Sequence, residues 1–256
     1  METFWQDLKY GVRMLARSPS FTAIAILTLA LGIGANTVLF SVVNGVLLKP
    51  LPYLQPDSLV SLAESTAEFE SSSISYPNFL DWQRANSTFS SIAAYRGDDF
   101  TITGQGETER VRVGMVSSTF FPILGVKMVA GRSFLPEEDR LGAAPVVLIS
   151  AGLWHRKFGS DPGIVGKTFE MNDKVHTVVG VLPPVPQYPN ENDVYMATSA
   201  CPFRSNKMHL EDRDMRMMEV FGRVKPGVTV AQANADISTI AAGLKAAYPK
   251  SHTLSK

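Results

Sequence analysis

From Ser18 to Leu48 the chain carries no charged residue. The run SPSFTAIAILTLALGIGANTVLFSVVNGVLL is mostly apolar and is bracketed by Arg17 and Lys49. At about 1.5 Å of helical rise per residue it reaches about 45 Å, whereas a hydrocarbon core needs only about 20 apolar residues. A buried core helix rarely has this length without a polar face. A cleavable signal peptide has an apolar stretch of about 7–15 residues, and this run continues well past Gly32, Gly34 and Ala35. The pattern predicts a retained transmembrane helix over 18–48. Ahead of it, Phe4, Trp5, Leu8, Val12 and Leu15 fall on one face of an amphipathic helix over 1–17. Gln6, Lys9, Arg13 and Arg17 take other faces. With Trp5 near one end and cations near the membrane entry, this reads as an interfacial anchor in the cytoplasmic headgroup layer. A short helix packed on a protein partner is the alternative.

Beyond Lys49 the periodicity changes. KPLPYLQPD cannot extend the helix because of its prolines. SLVSLAE (58–64) alternates as a strand does, and SYPNFLDWQRA (75–85) reads as a helix with Pro77 in its first turn. TFSSIAAYR and DFTIT are strand-like, and ETERVRVGMV (107–116) alternates between polar and apolar positions. SSTFFPILG is a short helix ended by Gly125. PVVLIS (145–150) is a short apolar strand running into the helical turn AGLWHRKFG. KTFEMNDKVHTVVGVLP (167–183) predicts a hairpin turning at Asn172–Asp173, and MMEVFGRV (217–224) another strand. Thr229 and Gln232 have the spacing of a capping box at the start of VAQANADISTIAAGLKAAYP. The elements alternate without a strict βαβ rhythm, so the expected class is α+β.

Charge sets the orientation. Lys9, Arg13 and Arg17 precede the span, and after it only Lys49 appears before Arg84. Basic residues stay on the cytoplasmic side, which places the N-terminus inside and the bulk of the chain outside. With 24 basic and 24 acidic residues, no global field draws the protein to nucleic acid. A single cysteine, Cys201, excludes an intramolecular disulfide framework. Within the span, Ala23, Ala30, Gly34, Ser41 and Gly45 recur along one stripe where another helix could approach closely; a lipid-facing stripe is the alternative. Asn36 is the polar residue at mid-span.

Catalytic signatures are scarce. DPGIVGKT (161–168) has Asp161 where a phosphate-binding loop needs glycine, so it reads as a hairpin entry. Glu137, Glu138 and Asp139 read as a solvated helix start rather than an acid–base pair. Met208, Met215, Met217 and Met218 cluster, but Met217 and Met218 face opposite ways in a strand, which favours packing over copper binding. His155, His176, His209 and His252 have no paired metal-ligand spacing. No GxSxG occurs. No catalytic, cofactor-binding or metal residue is expected.

These residues as a set resemble a known family. DLKYGVRMLARSPSFTAIAILTLALGIGANTVLFSVVNGVLLKPLPY (7–53), SYPNFLDWQ (75–83), GRSFLPEED (131–139), PVVLISAGLWHRKFGSDPGIVGKTFEMN (145–172), VVGVLPP (178–184) and RVKPGVTVAQANADI (223–237) are similar, in this order, to permeases of the MacB-type and FtsX-like superfamily of ABC systems. The acidobacterial duplicated orphan permeases are the nearest in pattern. The resemblance implies one span, an extracytoplasmic domain and three further spans. It also implies a role in passing ATP-driven movement outward, with no catalytic residues in this region. It implies two lobes in residues 50–256: a porter-like lobe at about 58–105 and 215–248, and an inserted strand-rich lobe at about 106–200. The implied partners are membrane lipid, the remaining permease spans or a second permease subunit, a separately encoded ABC ATPase and a periplasmic adaptor; the implied location is the bacterial inner membrane. No second apolar run of about 18 residues follows, so the expectation is a front segment or truncated product that does not complete a transport cycle alone. A single-span anchored binding module is the second reading, and an exported hydrolase the weakest.

Overall fold

The computed structural model describes residues 2–43, 53–65, 72–104, 106–198 and 211–249. It divides into two units, residues 1–51 and 52–256. The first contains helix α1 (Glu2–Arg17) and helix α2 (Pro19–Val43). The second is the mixed helix–strand domain expected from the sequence.

Ten strands are found in the second unit: β1 (Leu59–Leu62), β2 (Ile74–Ser75), β3 (Phe89–Thr103), β4 (Glu109–Val116), β5 (Ala130–Gly131), β6 (Val146–Ile149), β7 (Thr168–Met171), β8 (Lys174–Val181), β9 (Val194–Ala197) and β10 (Arg216–Val224). Among the described residues four helices accompany them: α3 (Tyr76–Ala85), α4 (Phe120–Leu124), α5 (Ala151–Phe158) and α6 (Val230–Ala247). The strand order is β1-β10-β3-β4-β9-β6-β8-β5, with β2 on β10 and β7 on both β3 and β8. That last double pairing closes a ring. From β3 the pairing passes through β4, β9, β6, β8 and β7 and returns to β3 at Ile102↔Met171 and Thr103↔Glu170. The result is a six-stranded barrel sharing the long strand β3 with an open sheet. The first half of β3 pairs with β10 and the second half with β4 and β7.

Side-chain alternation sorts the core into three regions. Phe100, Ile102, Val113, Met115, Val147, Ile149, Met171, Val194 and Met196 point into the barrel, and Leu153 of α5 joins them. A ring of six strands leaves an interior that side chains fill. The intervening positions Leu148, Val179, Tyr195 and Ala197 face the other way and pack with Phe120 and Phe121 of α4, Tyr95 and Phe221. On the open sheet, Ile92, Ala94, Met218 and Val220 pack beneath Phe79 and Trp82 of α3 and Ala233 and Ile237 of α6. Strands β6 and β9 are therefore buried at every position. Strands covered on both faces read as continuous apolar runs, as PVVLIS does. In β4 the expected alternation ends at Val113, after which every residue is buried. The register of β6 on β8 slips between Val147 and Leu148, so Val178 and Val181 both point inward although three residues apart; a bulge re-aims side chains in this way.

The local signals have direct structural causes. Ser75 accepts from the Asn78 amide at the start of α3, with Pro77 in the first turn. Thr229 and Gln232 form the reciprocal cap of α6. Asn172 and Asp173 both take positive φ (48° and 59°), the conformation that a two-residue type I′ hairpin turn requires. The two strand-like segments TFSSIAAYR and DFTIT are one continuous strand, β3, of 15 residues.

Candidate functional site

In the first unit, α1 and α2 are separated at Ser18. Pro19 has no N–H to give the Leu15 carbonyl that a continuous helix would engage. That carbonyl instead accepts from the Ser18 amide at 3.3 Å and the Thr22 hydroxyl at 2.7 Å. Residues 19–41 of α2 form an apolar segment long enough to cross a membrane, with none of it buried in the protein. At about 1.5 Å per residue those 23 residues reach about 35 Å. Thr28 and Thr37 satisfy their hydroxyls on the carbonyls of Ile24 and Ile33, within the helix. Ala23, Ala30, Gly34 and Ser41 lie on α2 within an arc of about 40°, at about 100° per residue; Gly45 lies outside the described residues. Phe4, Trp5, Leu8, Val12 and Leu15 lie on α1. Trp5 and Leu15 are exposed, and the side chains of Phe4, Leu8 and Val12 are outside the described set.

At the start of the second unit the chain is held by Tyr53, buried in the core, and just beyond it by one arginine. Arg223, on β10, carries five N–H donors in a planar fork, and all five are used. Nη1 donates to the Gln55 carbonyl at 2.9 Å and to Ser58 Oγ at 2.5 Å. Nη2 donates to the Leu54 carbonyl and, at 2.5 Å, to the Ile123 carbonyl, which also accepts from Nε at 3.2 Å. Ile123 and Leu124 end α4, where carbonyls lack helical partners. Arg223 takes the first and the Leu54 amide takes the second, at 3.0 Å. Gly125 makes this approach possible: a Cβ there would lie 2.6 Å from Leu54 Cβ, and its φ of +70° disfavours any other residue. Burial pulls the Arg223 pKa below its usual value, and no carboxylate pairs with it among the described residues.

At one mouth of the barrel lies a cleft of about 840 Å³ walled by residues 110–112, 150–152, 183–187 and 191–193 with Asp99 and Arg156. A smaller recess of about 320 Å³ shares Asp99 and Arg112 with it. Most of its charges are paired with each other. Arg110 meets Asp99 at 2.8 Å, and Arg156 meets Glu109 at 2.9 Å and Asp193 at 2.8 Å. Burial raises the Glu109 carboxyl, but hydrogen bonds from Arg156 and Lys157 more than reverse this, leaving it below the usual range. Arg112 makes no ion pair among the described residues.

The loop walling the cleft is fixed from below by a polar network. Tyr95 donates to Asn192 Oδ1 at 3.1 Å, Asn192 donates to Tyr195 Oη at 3.1 Å, and Tyr195 donates to Gln187 Oε1 at 2.6 Å. Tyr53 donates to the Pro186 carbonyl at 2.8 Å. Burial pushes the Tyr53 phenol up to about 12 and raises Tyr195 further, so both keep the proton they donate. Gly97 and Gly114, paired across β3 and β4, form the floor on which the two rings lie. Sequence reasoning passed over these glycines; their place inside strands was the available signal, since strand glycine often marks close approach.

The motifs set aside in the sequence behave structurally. Lys167 pairs with Asp161, whose other oxygen accepts from the Gly163 amide at 2.9 Å, so this loop turns its anion inward on its own lysine. The run at 137–139 is not simply solvated. Glu138 takes two bonds from Arg132, at 2.8 and 2.6 Å, and one from the Leu135 amide. Asp139 accepts from the Ser118 amide at 3.0 Å and from the Thr198 hydroxyl. Glu138 thus braces the loop internally, and Asp139 ties it to the residues that follow β4 and β9. Met217 and Met218 both pack against the core beneath α3 and α6. His155 contacts Ser160, and His176 is buried with Nδ1 on the Lys174 carbonyl at 2.9 Å. Among the described residues no group of His, Cys, Asp and Glu could hold a metal. Cys201, Met208, His209 and His252 lie outside the described residues.

The family model for the MacB-like periplasmic core domain matches residues 22–240. The chain belongs to this family. The resemblance to MacB-type and FtsX-like ABC permeases drawn from the sequence is thus the family found. No curated protein matches the chain with significance. Among solved structures, the periplasmic region of MacB from Actinobacillus actinomycetemcomitans is similar, at 12% identity and a TM-score of 0.56, over 76% of this chain and 86% of that one. The extracellular domain of the noncanonic ABC-type transporter YknZ from Gram-positive bacteria is similar at 12% identity and 0.55, over 73% and 95%. A domain of a putative permease protein from Porphyromonas gingivalis is similar at 16% and 0.57, over 77% and 86%. At these identities the likeness shows a shared fold. The protein carries a MacB-like periplasmic core domain of an ABC-type permease behind one apolar helix, which reads as a membrane-anchored protein with an extracytoplasmic domain.

Proposed function

We propose that this protein is a permease component in which α2 crosses the bacterial inner membrane with the N-terminus cytoplasmic. Its MacB-like domain then works on the periplasmic side, in export or envelope mechanotransmission. A separately encoded ABC ATPase supplies the movement, further permease spans or a second subunit complete the membrane part, and a periplasmic adaptor is the outer partner. The small-residue stripe of α2 is the face for a neighbouring helix, and α1 lies in the headgroup layer. In this reading the domain's two lobes are the open sheet with α3 and α6, and the barrel. The observation that carries it is the joining of a charge-free, membrane-length helix, preceded by Lys9, Arg13 and Arg17, to a MacB-like domain. Basic residues are retained on the cytoplasmic side because translocating them is disfavoured.

Protease added to spheroplasts tests the topology. Residues beyond about 50 should be removed and a tag ahead of Met1 spared. Digestion of the tag with protection of the domain would overturn the orientation.

The barrel-mouth cleft favours one second reading, a single-span anchored binding module. Clefts at barrel mouths are common ligand sites, and Arg112 there makes no ion pair among the described residues. Coupling to a neighbouring ATPase supports the permease; a ligand that protects the cleft without any ATPase supports the module.

A further inference from the structure

Arg223 joins three parts of the fold that the sequence separates widely. It stands on β10, directly across from Leu59 of β1 and Ser91 of β3. Its guanidinium reaches past that pairing to the carbonyls of Leu54, Gln55 and Ile123 and the hydroxyl of Ser58. Leu54 to Ser58 are among the first residues of the domain, on the side of the chain that comes from α2. They are otherwise thinly attached: the Leu54 amide bonds to Leu124, the Ser58 amide and hydroxyl bond back to Gln55, and the Leu54 side chain is largely exposed. Gln55 is held at a φ of 43° immediately before Pro56, a left-handed conformation uncommon for a residue with a side chain. Arg223 and Ser58 converge on its carbonyl. A half-buried guanidinium facing only neutral acceptors among the described residues is not acting as an ion-pairing device. Its planar fork holds three carbonyls and a hydroxyl through five donors in one fixed plane, whereas a lysine has three rotatable donors on a flexible stem.

We propose that Arg223 is the positioning residue through which displacement of the chain's membrane-exit segment passes beyond the buried Tyr53 to β10 and to the end of α4, delivered by its fork. This rests on the permease reading above, in which the domain takes up movement from the membrane. Segment 54–58 and the central sheet then move as one body, and tension on the exit segment reaches β10 before it loosens the segment. The same contacts tie that movement to α4, whose Phe120 and Phe121 pack against Tyr195 of the barrel.

Single-molecule pulling tests this on the full chain in nanodiscs, in a Cys201→Ser background with handles at Leu54→Cys, an exposed side chain beyond the Tyr53 anchor, and at Ala235→Cys. The wild-type chain should show no extension before the domain itself yields. Arg223→Gln should add an early release of up to about 1.8 nm, the span of residues 54–58 at about 3.5 Å each, at clearly lower force. Gly125→Ala, which pushes Leu54 off its seat, should do the same. Arg223→Lys keeps the charge and should release at intermediate force; it decides the matter if Arg223→Gln does not fold. In hydrogen exchange the Leu54 and Ser58 amides should speed up tenfold or more in the variants, while those of β4 and β9 stay unchanged. Identical force traces in wild type and the Arg223 variants would overturn the proposal. So would uniform acceleration of exchange across the domain, which would make Arg223 a general stability residue. The release force needs no ATPase, so failure of ATP-coupled transport would remove the permease reading and leave this result standing.

Discussion

Gly114→Ala is the sharpest probe of how the barrel holds the wall of its cleft. A Cβ at Gly114 would stand 2.7 Å from Cδ1 and Cε1 of Tyr195 and 3.0 Å from Cε2 of Tyr95. Both rings are 1% exposed, so neither can swing into solvent. Tyr195 is further locked by Asn192 and Gln187 and packs edge-on against Phe121 at 5.0 Å. Forcing extra volume into such a site costs about 1–3 kcal/mol, and disturbing one hydrogen bond of the phenol network about 1 kcal/mol more. Alanine restricts the unfolded chain, and the backbone at 114 does not need positive φ, which offsets about 0.4–1 kcal/mol. The net loss is about 1.5–3 kcal/mol. For a domain of this size each kcal/mol moves Tm by about 2–4 °C, so the melt should fall by about 3–12 °C. Circular dichroism of the full chain in nanodiscs measures it, and exchange at Gln187 and Asn192 should rise together with the loss. Gly243→Ala on α6, with open space around it, is the control of opposite sign; removing a mid-helix glycine should raise stability by about 0.5–1 kcal/mol. A Gly114→Ala variant that melts within 1 °C of wild type would show that the two tyrosines are not seated on the glycine floor.

Two further outcomes are expected. Burial lowers the His176 pKa below its ordinary value, only partly offset by the bond to the Lys174 carbonyl. The unfolded chain therefore binds a proton that the folded one resists, so stability is full above the unfolded pKa of about 6.5 and declines as pH falls below it. Thermal melts at pH 7.5 and 5.5 should show this decline, and His176→Gln should shrink it; an equal decline in the variant would assign the effect elsewhere. Trp5→Lys with Leu8→Lys should release α1 from vesicles without shifting the melt of the second unit, since each buried large apolar side chain contributes about 1.5–3 kcal/mol. Depth-dependent quenching of Trp5 fluorescence reports the contact, and wild-type quenching that is the same with and without lipid would count against it.

Local periodicity and caps carried much of the fold. The charge-free run specified α2, because a helix without charged side chains over this length, its few hydroxyls bonded within the helix, has no aqueous face. The Pro77 turn, the Asn172–Asp173 hairpin and the Thr229–Gln232 cap were legible because each depends only on residues within a few positions of one another. The blocks from DLKYGVRM to RVKPGVTVAQANADI made the family readable as well. Other features depended on the tertiary structure. Closure of the barrel depends on β7 meeting both β3 and β8, contacts about 70 residues apart in the first case, which no local pattern encodes. Strand β9 (VYMA) went unrecognised although β6 is just as short and just as covered, because β9 lacks the β-branched and aliphatic run that made PVVLIS legible. Asp139 looked like part of a solvated acidic run because its partners, Ser118 and Thr198, are 21 and 59 residues away; Arg132, the partner of Glu138, is only six residues away in the same loop and was passed over. Arg223 read as one more charge on a strand. Its role arises only where the chain entry, the end of α4 and β10 converge, since hydrogen-bond acceptors on backbone carbonyls leave no mark in the identity of the residues that bear them.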